Sequence, residues 1–81
     1  MALLDRIHAE LARAGEPLPA FEIAARMRVR RQTTAATLTR MKALGVIRIA
    51  ERREARDYTG RLRTMGFYAL VDDPTAAWRR V

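Results

Sequence analysis

The pattern of hydrophobic and polar positions changes period once along the chain. Up to Gly45 the large apolar residues recur at three- and four-residue spacings, and beyond it they alternate. Leu3, Leu4, Ile7 and Leu11 share one face of a 3.6-residue period, which predicts a helix over about 2–14. Asp5 in its first turn and Arg13 in its last complement the helix dipole, and Gly15 is the stop signal. His8, beside the apolar stripe, is expected to be a half-buried packing residue. Each proline in Glu16-Pro17-Leu18-Pro19 biases its predecessor away from helix, so this stretch is an extended connector in which Leu18 can pair as a one-residue strand. Ala20–Met27 is predicted as a short helix with Ile23, Ala24 and Met27 inward. Pro19 is a poor cap for it, having no side-chain acceptor for the free amides.

The stretch Arg28–Gly45, RVRRQTTAATLTRMKALG, organises the rest. Val29 is a lone apolar residue in a turn, a helix is predicted over about 30–44, and Gly45 ends it. Thr34, Leu38, Met41 and Leu44 follow spacings of four, three and three, and this face is expected to be buried. The opposite face carries Arg31, Gln32, Thr33, Ala36 and Arg40 and no large hydrophobe. These side chains suit base edges in a DNA major groove. Arginine forks onto guanine, glutamine pairs with adenine, and the threonine methyl touches thymine.

After Gly45, Val46–Ala50 and Met65–Val71 alternate and are rich in β-branched and aromatic residues, as strands are. Between them lies Glu51–Thr64, mostly charged, with Tyr58-Thr59-Gly60-Arg61 as the turn. The expectation is a hairpin over about 46–71 with a long basic tip. That tip is expected to be mobile when free, since only Tyr58 and Leu62 offer it anything to bury. Asp72-Asp73-Pro74 is a helix-start signal and predicts a short helix over about 74–80. Its Trp78 either packs onto the first helix or contacts another subunit. The fold class is therefore α+β: three helices, a C-terminal hairpin and a short terminal helix, in one domain spanning 1–81.

Charge sharpens this picture. The net charge is +7, and residues 26–48 hold six Arg, one Lys and no acid. Such a basic block on a nearly neutral body is the footprint of a polyanion binder. The inventory excludes much else. The chain has no Ser, no Cys and one His, which removes the Ser-His-Asp and Cys-His forms of nucleophilic catalysis. Its acids are scattered, it has no glycine-rich phosphate loop, and no apolar run approaches the roughly 18 residues of a membrane span. The N-terminus lacks the pattern of a signal peptide. No enzymatic activity, cofactor, metal, membrane association or small-molecule ligand is expected, and the expected location is the cytoplasm.

The string Leu18-x-x-x-Glu22-Ile23-Ala24-x-x-Met27-x-Val29-x-x-x-Thr33-x-x-x-Thr37-Leu38-x-x-Met41-x-x-Leu44-Gly45-Val46-Ile47, followed by Phe67-Tyr68-x-Leu70, resembles the winged helix-turn-helix domains of bacterial and phage regulators. The likeness covers residues 3 to 71. It departs from that family at Pro19 and Arg30, where the family uses Ser or Thr caps, at Arg28, where it has glycine, and at Thr34, where it often has an aliphatic residue. The resemblance implies a third helix in the major groove and a wing on the backbone or in a minor groove of double-stranded DNA. On that basis Arg31, Gln32, Thr33, Ala36 and Arg40 are assigned to base contacts. Arg28, Arg30, Thr37, Arg52, Arg53, Arg56, Arg61 and Arg63 are assigned to phosphates, with Arg56 or Arg61 alternatively entering a narrow minor groove. Trp78 is the candidate subunit contact of a homodimer assembled on DNA. The function so implied is that of a small transcriptional regulator or architectural protein. The alternative is a protein-binding adaptor, or a phage-encoded inhibitor of a host protein with an acidic surface. The exposed face lacks the aromatic anchor such an interface uses. RNA binding is a third option, weakened by the missing surface aromatic pair.

Overall fold

The computed structural model describes residues 2–71. The helix expected over 74–80, and Trp78 with it, lie outside the described residues. The chain runs α1 (Leu3–Ala14), β1 (Leu18–Pro19), α2 (Ala20–Met27), α3 (Arg31–Ala43), β2 (Ile47–Arg56) and β3 (Leu62–Leu70). Over the described residues it is an α+β fold of three helices and a three-stranded antiparallel sheet with strand order β1-β3-β2.

The helices end where the backbone turns left-handed. Gly15 (φ 68°) closes α1, Arg28 (φ 56°) closes α2, and Gly45 (φ 77°) follows α3. The ends of α2 and α3 are built alike. The Val29 amide donates to the Ala24 carbonyl at 3.0 Å and the Val46 amide to the Met41 carbonyl at 3.1 Å. These are the long bonds of a Schellman motif, in which the residue after the left-handed one folds back onto the helix. Both valines pack against the core. A further bond closes α2: the Arg6 guanidinium of α1 donates to the Met27 carbonyl at 2.9 Å, a cation placed at the negative end of the helix dipole.

The core gathers Ile7 and Leu11 of α1, Leu18 of β1, Ile23 and Met27 of α2, Leu38 and Met41 of α3, and Ile47 of β2. Thr34 is also fully buried, and its hydroxyl makes no hydrogen bond among the described residues. Two expectations fail at stripe edges. Leu44 is 62 % exposed, because at ~100° per residue it lies roughly 90° from the centre of the Thr34-Leu38-Met41 stripe. The turn at Gly45 then brings Val46, not Leu44, over the helix end. His8 lies just off its stripe in the same way and is exposed.

Candidate nucleic-acid interface

Arg30 precedes α3 as its N-cap and makes no side-chain cap bond. The first two turns present Arg31, Gln32, Thr33 and Ala36 to solvent, and Arg40 follows one turn later on the exposed side. No acid occurs anywhere in α3. Thr37 is half-buried, and its hydroxyl donates to the Thr33 carbonyl at 3.0 Å. That proton is not available to a phosphate while the bond lasts. Arg28 and Arg30 flank the helix, both exposed.

The hairpin differs from its expected form. Most of the stretch read as a loose tip is paired strand, and the ladder runs from Ile47 opposite Leu70 to Arg56 opposite Leu62. Only Asp57–Arg61 is left for the turn. Its order comes from one carboxylate. Asp57 Oδ1 accepts the Thr59 amide at 2.8 Å, the Arg61 amide at 3.2 Å and the Thr59 hydroxyl. The Thr59 hydroxyl is the main reason the Asp57 carboxyl sits below its ordinary pKa. Desolvation opposes it, while the Thr59 and Arg61 amides and the Arg63 charge assist. Arg56 donates to the Gly60 carbonyl at 2.8 Å, and Gly60 takes the φ of 88° that the turn needs. Burial of Tyr58 and Leu62 plays little part: they are 58 % and 56 % exposed.

A β-bulge at Ala50 decides where the hairpin arginines point. Ile49 opposes Tyr68 and Glu51 opposes Phe67, so Ala50 is an extra residue in β2. Strict alternation from Ile47 and Ile49 would keep Glu51 and Arg53 on the core side. The bulge reverses this. Arg52 and Arg56 instead share the face of Gly66 and Leu62, which continues the core side of the sheet, and Arg53 shares the face of Phe67. There the Arg53 guanidinium lies over the Phe67 ring, 4.0 Å from its centroid, and its Nε donates to Glu51 at 3.0 Å. Arg53 is thus committed to the Phe67 face of the sheet, which it shares with Arg63. Arg63 lies 3.8 Å from Asp57. Among the described residues, the side chains of Arg52 and Arg61 make no ion pair.

The hairpin tip returns to the start of α3. The Arg31 guanidinium lies 3.6 Å from the centroid of the Tyr58 ring. Behind this contact is a cleft of about 340 Å³, bounded by Pro19–Phe21, by Arg31 and Ala35 of α3, and by the Arg63–Gly66 stretch of β3. The structure therefore brings Arg31 and Ala35 of α3 beside Tyr58 and Arg63 of the hairpin, sets Arg52 and Arg56 on the core side of the sheet, and lays Arg53 over Phe67. Sequence reasoning placed Tyr58 in the turn but gave it no partner. The only available signal was a large aromatic residue in a tip with no core to enter.

No three His, Cys, Asp or Glu side chains come together to hold a metal among the described residues, and no described helix is long and apolar enough to cross a membrane. No family model, curated protein or solved structure matches this chain.

Proposed function

We propose that the chain is a winged helix-turn-helix domain that binds double-stranded DNA, with α3 in the major groove and the β2–β3 hairpin as the wing. One observation carries the reading: an acid-free, exposed polar face on α3 meets the tip of a basic hairpin through Arg31 and Tyr58, and the bulge of that hairpin turns Arg52 and Arg56 to the core side of the sheet. Arg28, Arg30, Arg52, Arg56 and Arg61 neutralise phosphates, and Gln32, Thr33, Ala36 and Arg40, with Arg31, meet base edges or their rim. The function is binding, not catalysis, as in a small regulator or an architectural protein. A single module of this size buries roughly 600–1,000 Å² on DNA, so a specific site takes a second copy about one turn away, ~34 Å.

The test is a salt titration of binding to a random-sequence duplex. With ~4–6 phosphates neutralised, log affinity should fall against log salt with a slope of roughly −4 to −5. Alanine at Arg52 or Arg61 should flatten that slope by about one for each phosphate left without its cation. No mobility shift at low salt would refute DNA binding and favour an adaptor that meets an acidic protein surface.

A further inference from the structure

We infer that Tyr58, at the tip of the hairpin, is a positioning residue for Arg31, so that base discrimination by α3 depends on a residue that need not touch a base. The inference rests on the DNA-binding reading. Three observations carry it. The Tyr58 ring lies under the Arg31 guanidinium at 3.6 Å, stacking distance for a cation and an aromatic face. Tyr58 is 58 % exposed, so burial in the core does not account for where it sits. The turn that carries it is fixed on both sides: Asp57 gathers the Thr59 and Arg61 amides, and the Asp57 amide donates to the Arg61 carbonyl at 2.8 Å.

The chemistry of the stack favours reading over sequestration. A guanidinium donates its five N–H bonds in its own plane and none from its faces. A ring on one face therefore consumes no donor. An ion pair would consume them, and among the described residues Arg31 makes none. Stacking orients the fork while leaving its edge open to the O6 and N7 acceptors of guanine. Without the ring, Arg31 is a long side chain at the uncapped first turn of α3 and must be ordered by the base itself. The bound arginine would then discriminate less between bases, though its charge would still attract any duplex.

The experiment enriches a randomised duplex library with wild type, R31A, Y58A, Y58L and Y58F, and follows Arg31 side-chain proton shifts in the free proteins. Because Tyr58 is mostly exposed, the variants should keep the wild-type amide fingerprint. Y58L supplies bulk without a π face in case alanine loosens the tip. R31A should flatten the preference at one or two base positions. Y58A and Y58L should flatten the same positions about fivefold, and Y58F should retain them. The ring-current shift of the Arg31 methylenes should be present in wild type and Y58F and absent in Y58A and Y58L. Wild-type preference retained by Y58A and Y58L, or flattening at positions other than those of R31A, would overturn the inference while DNA binding stands. So would Arg31 shifts that do not respond to Y58A. A wild type that enriches no sequence and binds no duplex would overturn the DNA reading, and the inference with it.

Discussion

The helical body and the hairpin hold their shape by different physics. In the body, side chains from α1, α2, α3, β1 and β2 close around Leu38 and Met41, both fully buried. Order there comes from apolar area removed from water. The outer hairpin has almost no such area. It is held by a ladder of main-chain bonds, by Asp57 and its donors, and by guanidinium groups laid over Phe67 and Tyr58. The body can therefore fail only as a unit, whereas the hairpin can change locally. That division fits the binding role proposed above, in which the outer surface adapts to a duplex while the interior stays fixed.

The largest effect is expected from Leu38→Ala, at the centre of the body's core. Truncating a fully buried leucine costs ~2–5 kcal/mol, a large share of the stability of a small domain, and the loss should appear as a lowered melting temperature of the whole chain. Leu44→Gln should stay within about 0.5 kcal/mol of wild type, as an exposed position does. Equal effects at both would place the α3 stripe wrongly.

Thr34→Val should act in the opposite direction. The Thr34 hydroxyl is buried without a partner among the described residues, whereas Thr37 and Thr39 donate to carbonyls one turn back. Removing an unsatisfied hydroxyl at nearly constant shape should raise stability by about 1–2 kcal/mol in a denaturant titration. A decrease would mean that the hydroxyl is satisfied in solution.

A smaller gain is expected from Arg28→Gly. Arg28 takes the left-handed conformation at φ 56°, which costs a non-glycine residue about 1–2 kcal/mol, partly recovered in the more flexible glycine-bearing unfolded chain. The net gain should be about 0.5–1 kcal/mol. On the proposed function, the same change should also flatten the salt slope by about one, since it would remove one phosphate-neutralising cation. Stability and DNA affinity would then move in opposite directions in a single variant.

The finest probe is acid. Asp57 titrates below its ordinary value of 3.8, first because of the Thr59 hydroxyl. A carboxyl with a depressed folded value stabilises above its unfolded value, and that contribution is lost as pH falls through the folded one. Between about pH 5 and 2, the Thr59 and Arg61 amide shifts should therefore change with a midpoint below 3.8, reporting the tip locally. Asp57→Asn should abolish this titration. A midpoint at the ordinary value would mean that the carboxylate network does not hold the tip.

The same division explains what could be read from the chain alone. Buried faces leave a period in the sequence, so α1, α2, α3 and the pairing ends of the strands were legible within one or two residues. The errors at Leu44 and His8 fell on the edges of stripes, where the period is weakest. The outer hairpin leaves no such trace. Glu51–Thr64 shows charge but no hydrophobic alternation, so its pairing and its bulge were invisible, and with them the opposite fates of Arg52 and Arg53. The outer face of α3 was legible because it is defined by what the buried stripe excludes. The Arg31–Tyr58 contact was not, because it joins residues far apart in the chain through an aromatic face, which has no spacing rule.

The bulge at Ala50 separates chain length from register. Taking Ala50 out would leave Ile49 opposite Tyr68 and Glu51 opposite Phe67, with each arginine keeping its partner and its face. What would change is curvature, since a bulge bends and twists the strand that carries it. A straighter hairpin would carry the tip away from α3 while leaving the distribution of charge unaltered. A deletion at Glu54, past the bulge, would instead shift Ala55 and Arg56 to opposite faces. Loss of one residue thus changes reach at one position and facing at another, only four residues along the same strand.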